Sequence, residues 1–97
     1  MKIDELEENT QVNNLTGTII EVSDANETGN GTPFQEAILE DDTGKVRIVF
    51  WDDQVAKYTV GQSIVLIKGW CKVYNSELQV TSGKFGEIKL VSSGEDE

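Results

Sequence analysis

Apolar and polar residues alternate along the middle of this chain with a period of two. That is the period of a β-strand, whose successive side chains point to opposite faces. From Lys45 to Trp51 one parity carries Val46, Ile48 and Phe50, and the other carries Lys45, Arg47, Val49 and Trp51. A longer run, from Ser63 to Tyr74, has Val65, Ile67, Gly69, Cys71 and Val73 on one parity and ends in Lys68, Trp70, Lys72 and Tyr74 on the other. The first set in each run is expected to face a core. Val12 to Val22 reads as an earlier strand, in which Gly17 marks a bulge or bend and the adjacent Ile19 and Ile20 a shift of register. Phe34 to Asp41 places Ala37 and Leu39 on one face and Phe34, Glu36 and Ile38 on the other. Glu77 to Thr81 turns Leu78 and Val80 inward, and Glu87 to Val91 reads as a short extra strand.

Turn-forming residues separate these runs. Ser23 to Pro33 predicts a mobile hairpin loop, and its glycines lack the strand–loop–helix context of a phosphate-binding loop. Asp41-Asp42-Thr43-Gly44 and Asn75-Ser76 predict hairpin turns, and Ser82-Gly83 a break. Asp52-Asp53 is expected to cap a short helical turn with Val55 and Tyr58 on its packed side. Ile3 and Leu6, three apart, suit one helical turn laid across the open end of a barrel. Five principal strands, a bent first strand and one short helical turn between strands three and four predict an all-β fold. The architecture that fits is a five-stranded OB-fold Greek-key barrel, in which oligonucleotides lie across strands two and three. Residues 1–91 form one such domain in this reading, and 92–97 form an acidic disordered tail or a linker remnant.

Composition removes several chemistries. The 97 residues include one cysteine, Cys71, and no histidine. The usual zinc sites and the Ser-His-Asp and Cys-His catalytic arrangements therefore cannot be assembled. Cys71 reads as a small buried apolar residue. The acid pairs Asp41-Asp42 and Asp52-Asp53 occupy turn and cap positions, where carboxylates accept local hydrogen bonds. The chain is not expected to be an enzyme, and no cofactor or metal is implied. No apolar run approaches the ~20 residues of a membrane span, and no basic-then-apolar signal pattern opens the chain. No membrane partner is expected, and a cytoplasmic location is, nucleoid-associated in an archaeal cell.

Charge complicates the picture. Eight basic and 18 acidic residues give a net charge of −10, which opposes attraction to a polyanion. Yet Asp4, Glu5, Glu7, Glu8, Glu95, Asp96 and Glu97 lie near the two ends, whereas Lys45, Arg47, Lys68 and Lys72 fall on the non-core parity of the two central strands. Trp51, Trp70 and Tyr74 share that parity. Tryptophan and tyrosine in a small domain usually belong to the core, but here aliphatics and Phe50 already fill the inward positions. Cations beside flat rings are what single-stranded nucleic acid needs: the cations track phosphates and the rings accept unstacked bases.

The runs EAILEDDTGKVRIVFWDD and VGQSIVLIKGWCKVYNSELQV resemble the OB-fold domains of archaeal single-stranded DNA-binding proteins and replication protein A. The acidic-Thr-Gly turn, the tryptophan closing strand three and the Trp-x-x-x-aromatic of strand four carry the resemblance, which extends from Ile3 to Val91. It implies base stacking on Trp51, Trp70, Tyr74 and Phe34, and differs from the family in net charge. It further implies largely sequence-independent binding of single-stranded DNA in replication, recombination or repair. The chain would then be one OB domain of a replication protein A-like protein, whose partners include sister OB domains or other replication and repair proteins. Two alternatives use the same face. One is a protein-interaction OB domain suited to a basic partner, and the other a binder of single-stranded RNA or tRNA.

Overall fold

Leu15–Val22 (β2) hydrogen-bonds on both sides, and the rest of the sheet is arranged around it. Its first half, from Leu15 to Thr18, pairs with Ser63–Ile67 (β6), and its second half, from Thr18 to Val22, pairs with Pro33–Asp41 (β4). The computed structural model describes residues 1–82 and 86–92. Its other strands are Thr10–Val12 (β1), Asn26–Glu27 (β3), Gly44–Trp51 (β5), Gly69–Tyr74 (β7), Glu77–Thr81 (β8) and Glu87–Ser92 (β9). The sheet runs β1-β7-β8-β5-β4-β2-β6-β9, with β3 paired to β4. The β5–β8 pairing is parallel, and the others are antiparallel. β6 and β7 are successive parts of one chain segment yet lie on opposite flanks of the sheet, so the sheet curls into a barrel. This is the expected OB-fold, with strands one to five realised as β2, β4, β5, β6–β7 and β8. β9 is the expected extra strand and runs to Ser92. The Gly83 turn and the remainder of the acidic tail lie outside the described residues.

The core follows the alternation. Leu15, Ile19, Leu39, Ile48, Phe50, Ile64, Leu66, Cys71 and Val80 are fully buried. Phe50 packs against Tyr58 with ring centroids 5.2 Å apart, and the Tyr58 hydroxyl donates to the Ile88 carbonyl at 3.2 Å. That bond ties the β5–β6 connection to β9.

Four expectations are corrected. The run from Ser63 to Tyr74 is not one strand. Lys68 adopts φ 56, in the left-handed region, and this reverses the parity of everything before it. Ile64 and Leu66 therefore face the core, while Val65 and Ile67, expected inward, are half-buried. Gly69 and Cys71 keep their inward position beyond the break, but Val73, near the hairpin tip, is exposed. The expected strand Val12–Val22 is also broken, at Asn13-Asn14, with Asn14 at φ 56. The register shifts between Ile19 and Glu21, as the adjacent Ile19 and Ile20 predict, and not at Gly17. Gly17 marks a close approach instead: a Cβ there would sit 3.3 Å from both the Glu40 carbonyl oxygen and Leu39 Cβ. Finally, Val49 is buried despite its non-core parity.

One end of the barrel is closed by a latch. A 3-10 turn at Ile3–Glu5 lays the buried Ile3 and Leu6 across it, as their spacing predicts. The Asp41 carboxylate accepts from the Thr43 hydroxyl (2.6 Å), the Thr43 N–H (2.7 Å), the Gly44 N–H (3.2 Å) and the Ile3 N–H (2.8 Å). The same group shapes the β4–β5 turn and anchors the N-terminal segment to it. Lys2 adds an ion pair to Asp42 at 2.7 Å. Burial pushes the Asp41 carboxyl upward, but these hydrogen bonds outweigh it and hold the group at about 2, below the usual 3.8.

A group held below its unfolded value stabilises the fold above about pH 4 and loses that contribution as pH falls toward 2. Asp41→Ala is expected to cost about 1–3 kcal/mol at neutral pH, the range for removing a charged acceptor from partly buried donors. Thermal unfolding of both proteins between pH 6 and pH 2 should show the gap between them narrowing through the acid window. A gap that stays constant with pH would contradict the latch.

Candidate nucleic-acid interface

Cross-strand partners in a sheet share a face, so the register fixes which outer side chains are neighbours. Across the outer side of β4, β5, β8 and β7 the rows are Phe34–Trp51; Glu36–Val49–Thr81–Trp70; and Ile38–Arg47–Gln79–Lys72. The last are Glu40–Lys45 on β4 and β5 and Glu77–Tyr74 on β8 and β7. Phe34, Trp51, Trp70, Tyr74, Lys45, Arg47 and Lys72 thus fall on one continuous outer surface. Lys68 stands outside the register, exposed at the β6–β7 break two residues before Trp70.

The rings differ in access. Trp70 is 43% exposed and Tyr74 55%, so both present open faces. Trp51 is half-buried and leans on Phe34, with centroids 5.6 Å apart and planes at 38°. β8 lies between the strands of Trp51 and Trp70, a separation of about 10 Å at the usual strand spacing. Trp51 is fixed by its backbone N–H, which donates to Gln54 Oε1 at 3.0 Å, while Gln54 Nε2 donates to Ser82 Oγ at 3.1 Å. Gln54 therefore supplies a side-chain cap at this turn, a role expected of Asp52. Asp52 begins the 3-10 turn Asp52–Gln54 at φ 54, and no side-chain cap bond is formed there. Gln35, buried in β4, accepts from the Ala56 N–H and donates to the Ser23 carbonyl, each at 2.9 Å, which braces the loops on both sides of this end. Tyr58 packs inward as expected, and Val55 is half-buried.

The cations divide into two groups. Arg47 reaches Glu36 Oε1 and Glu77 Oε1, each at 3.4 Å, and Lys45 faces Glu40 across the strand pair. Lys68 and Lys72 are exposed and form no ion pair among the described residues. The positive strip expected on both central strands is therefore realised on β7, beside Trp70 and Tyr74. On β5 it is matched by carboxylates. Two open grooves of about 520 and 890 Å³ share Ile20, Glu21, Ile38 and Arg47, on the acidic side of the face. Glu36 and Glu77 were not among the expected functional residues. Glu36 carries a legible signal, its parity with Phe34 and Ile38, whereas Glu77 reaches Arg47 only through the parallel β5–β8 pairing. Cys71 is fully buried in the core, where desolvation pushes its thiol upward and away from reactivity.

A family of OB-fold nucleic acid binding domains matches residues 14–90. The single-stranded DNA binding protein Ssb of Saccharolobus solfataricus is 28% identical over 98 residues, covering 98% of this chain and 65% of that protein. Among solved structures, a domain of replication protein A from Methanococcus maripaludis superposes with a TM-score of 0.82 at 19% identity, covering 98% of each chain. The replication factor A related protein from Methanobacterium thermoautotrophicum gives 0.77 at 20% identity, covering 99% of this chain and 94% of that one. The solved structures share the fold with this chain.

The difference in ring access is measurable without any ligand. With Trp51 replaced by Phe, the remaining Trp70 emission should be quenched more steeply by acrylamide than the Trp51 emission of Trp70→Phe. Trp70→Ala should change stability by no more than about 0.5 kcal/mol, as a surface substitution does. Equal quenching, or unfolding of Trp70→Ala, would show Trp70 to be part of the core.

Proposed function

This chain belongs to the family of OB-fold nucleic acid binding domains, and on that premise we propose that its outer face binds single-stranded DNA, largely without regard to sequence, by stacking bases on Trp70, Tyr74 and Trp51. The observation that carries the proposal is the register. It sets two exposed rings and the unpaired Lys72 on one strand, with the Trp51–Phe34 pair on the same face two strands away. Every base has a π-face, so stacking tolerates any sequence. Each stacked base contributes about 1–3 kcal/mol, and three platforms supply several kcal/mol, which partly offsets the opposing net charge. Lys68, Lys72 and Lys45 serve as phosphate contacts, and Arg47 lies between the rings. Phe34 supports Trp51 rather than offering an open face of its own. The relatives named for single-stranded DNA binding and replication support this reading, and with it a part in replication, recombination or repair.

The acid-lined grooves beside Arg47 favour a second reading, a docking face for a basic protein segment. Titration with oligo-dT decides between the two. Stacked bases should quench tryptophan emission strongly, and duplex of equal length should bind far more weakly because its bases are already stacked. Trp70→Ala should weaken oligo-dT binding by about 1–3 kcal/mol with the salt slope almost unchanged. Lys72→Ala should lose less affinity but flatten the slope by about 0.7, one phosphate's worth on a single strand. Unchanged emission at saturating oligo-dT, or equal affinity for duplex, would remove the stacking mechanism and leave the basic-segment reading.

A further inference from the structure

Arg47 occupies the middle of the outer face. It shares a row with Lys72 and Gln79 and lies one residue pair from the rows of Trp70 and Tyr74. With Lys72 in the same row, it is placed to reach a phosphate whose neighbouring bases stack on those rings. Its guanidinium is nonetheless engaged from both sides. One terminal nitrogen, Nη1, lies 3.4 Å from Glu36 Oε1, and the other, Nη2, lies 3.4 Å from Glu77 Oε1. Glu36 approaches from β4 and Glu77 from β8, so the arginine is bracketed across three strands. These are long, partly solvated ion pairs. Their individual stabilisation is small, about 0–1 kcal/mol each, so they are weak as structural ties. Their effect on an incoming phosphate is larger than on the fold, because a phosphate at Arg47 must displace them and then sit beside two carboxylates.

We infer that Glu36 and Glu77 set the selectivity of this face by withholding Arg47 from phosphate, so that affinity rests on the rings more than on charge. The inference rests on the single-stranded DNA reading above. Single strands offer unstacked bases and retain the stacking contribution. Duplexes and other polyanions offer only phosphates, and the arginine that could add to the lysine contacts is already engaged by two carboxylates. A binder with a net charge of −10 then ignores most polyanions and still takes single strands. Glu36 and Glu77 act here as positioning residues, through Arg47.

Anisotropy of labelled oligo-dT and labelled duplex, measured against salt concentration, tests this on three proteins. They are the wild type, Glu36→Gln/Glu77→Gln, and that double variant with Arg47→Met added. Glutamine keeps the shape and the hydrogen-bonding capacity while removing the charge. The double variant should bind oligo-dT about three- to tenfold more tightly, with a salt slope steeper by about 0.7, and should bind duplex at concentrations where the wild type does not. Adding Arg47→Met should cancel those gains. Glu77→Gln alone, at the more exposed of the two carboxylates, should show part of the effect if the double variant folds poorly. Unchanged affinity and slope in the double variant would overturn the inference while leaving wild-type binding, and the reading beneath it, intact. A gain that survives Arg47→Met would overturn it too, by tracing the change to net charge alone. If no protein binds oligo-dT, the single-stranded DNA reading falls and the inference falls with it.

Discussion

One chain segment has to belong to both flanks of the sheet, and the barrel depends on how that segment is broken. From Ser63 to Ile67 it pairs with β2 and β9, and from Gly69 to Tyr74 it pairs with β8 and β1. The change of partners happens across Lys68 and Gly69. Lys68 takes a left-handed conformation, which disfavours a residue with a side chain by about 1–2 kcal/mol. At Gly69 a Cβ would meet the Thr81 carbonyl oxygen at 2.6 Å and Leu66 at 2.8 Å, so no larger residue fits without moving backbone. The break also decides which side chains are exposed. Leu66 and Trp70 share a parity, and in an uninterrupted strand they would point the same way. With the reversal, Leu66 is fully buried and Trp70 is 43% exposed. The same local strain that closes the barrel turns its rings outward.

The legible parts of this fold are those where pattern and pairing are local. Val46, Ile48 and Phe50 alternate in a strand that pairs with its immediate predecessor through a four-residue turn, so composition, period and turn chemistry all agree. The Asn75-Ser76 hairpin is similar, with both residues at positive φ as a tight two-residue turn requires. The Lys68 break was not legible. SIVLIK is apolar on both parities, which leaves the phase of the alternation undetermined, and lysine carries no left-handed signal. Gly69 next to it was the available clue, and it was read as an ordinary inward position. Trp70 and Tyr74 are exposed as expected because the parity assigned to the whole run holds beyond the break, where Gly69 and Cys71 face inward.

Long-range hydrogen bonds were invisible for a different reason. The turn from Asp41 to Gly44 reads correctly as a turn, but nothing local shows that Asp41 also accepts from Ile3, 38 residues away. The Arg47–Glu77 contact depends on β5 and β8 lying side by side and parallel, although 25 residues separate Trp51 from Glu77 in the chain. A sequence can show that each of these residues is polar and outward. Only closure of the barrel shows which ones meet.

That distinction changes what the net charge means. A total of −10 describes the far field, which salt screens beyond about 8 Å at physiological ionic strength. Within that distance, placement decides. Asp41 and Asp42 are engaged at the latch, on the turn that closes β4 onto β5. Glu36 and Glu77 sit at Arg47, and Lys72 projects beside the two open rings with no carboxylate within ion-pair distance among the described residues. Carboxylates and rings therefore meet on the outer face around Arg47, where Glu77 is also the cross-strand partner of Tyr74. At the rings, the stacking contribution of about 1–3 kcal/mol per base acts at contact and does not depend on the total charge. At the carboxylates, the same total acts directly against a polyanion. The charge balance of this face is thus set locally, and Arg47, held between Glu36 and Glu77, is where the two kinds of side chain meet.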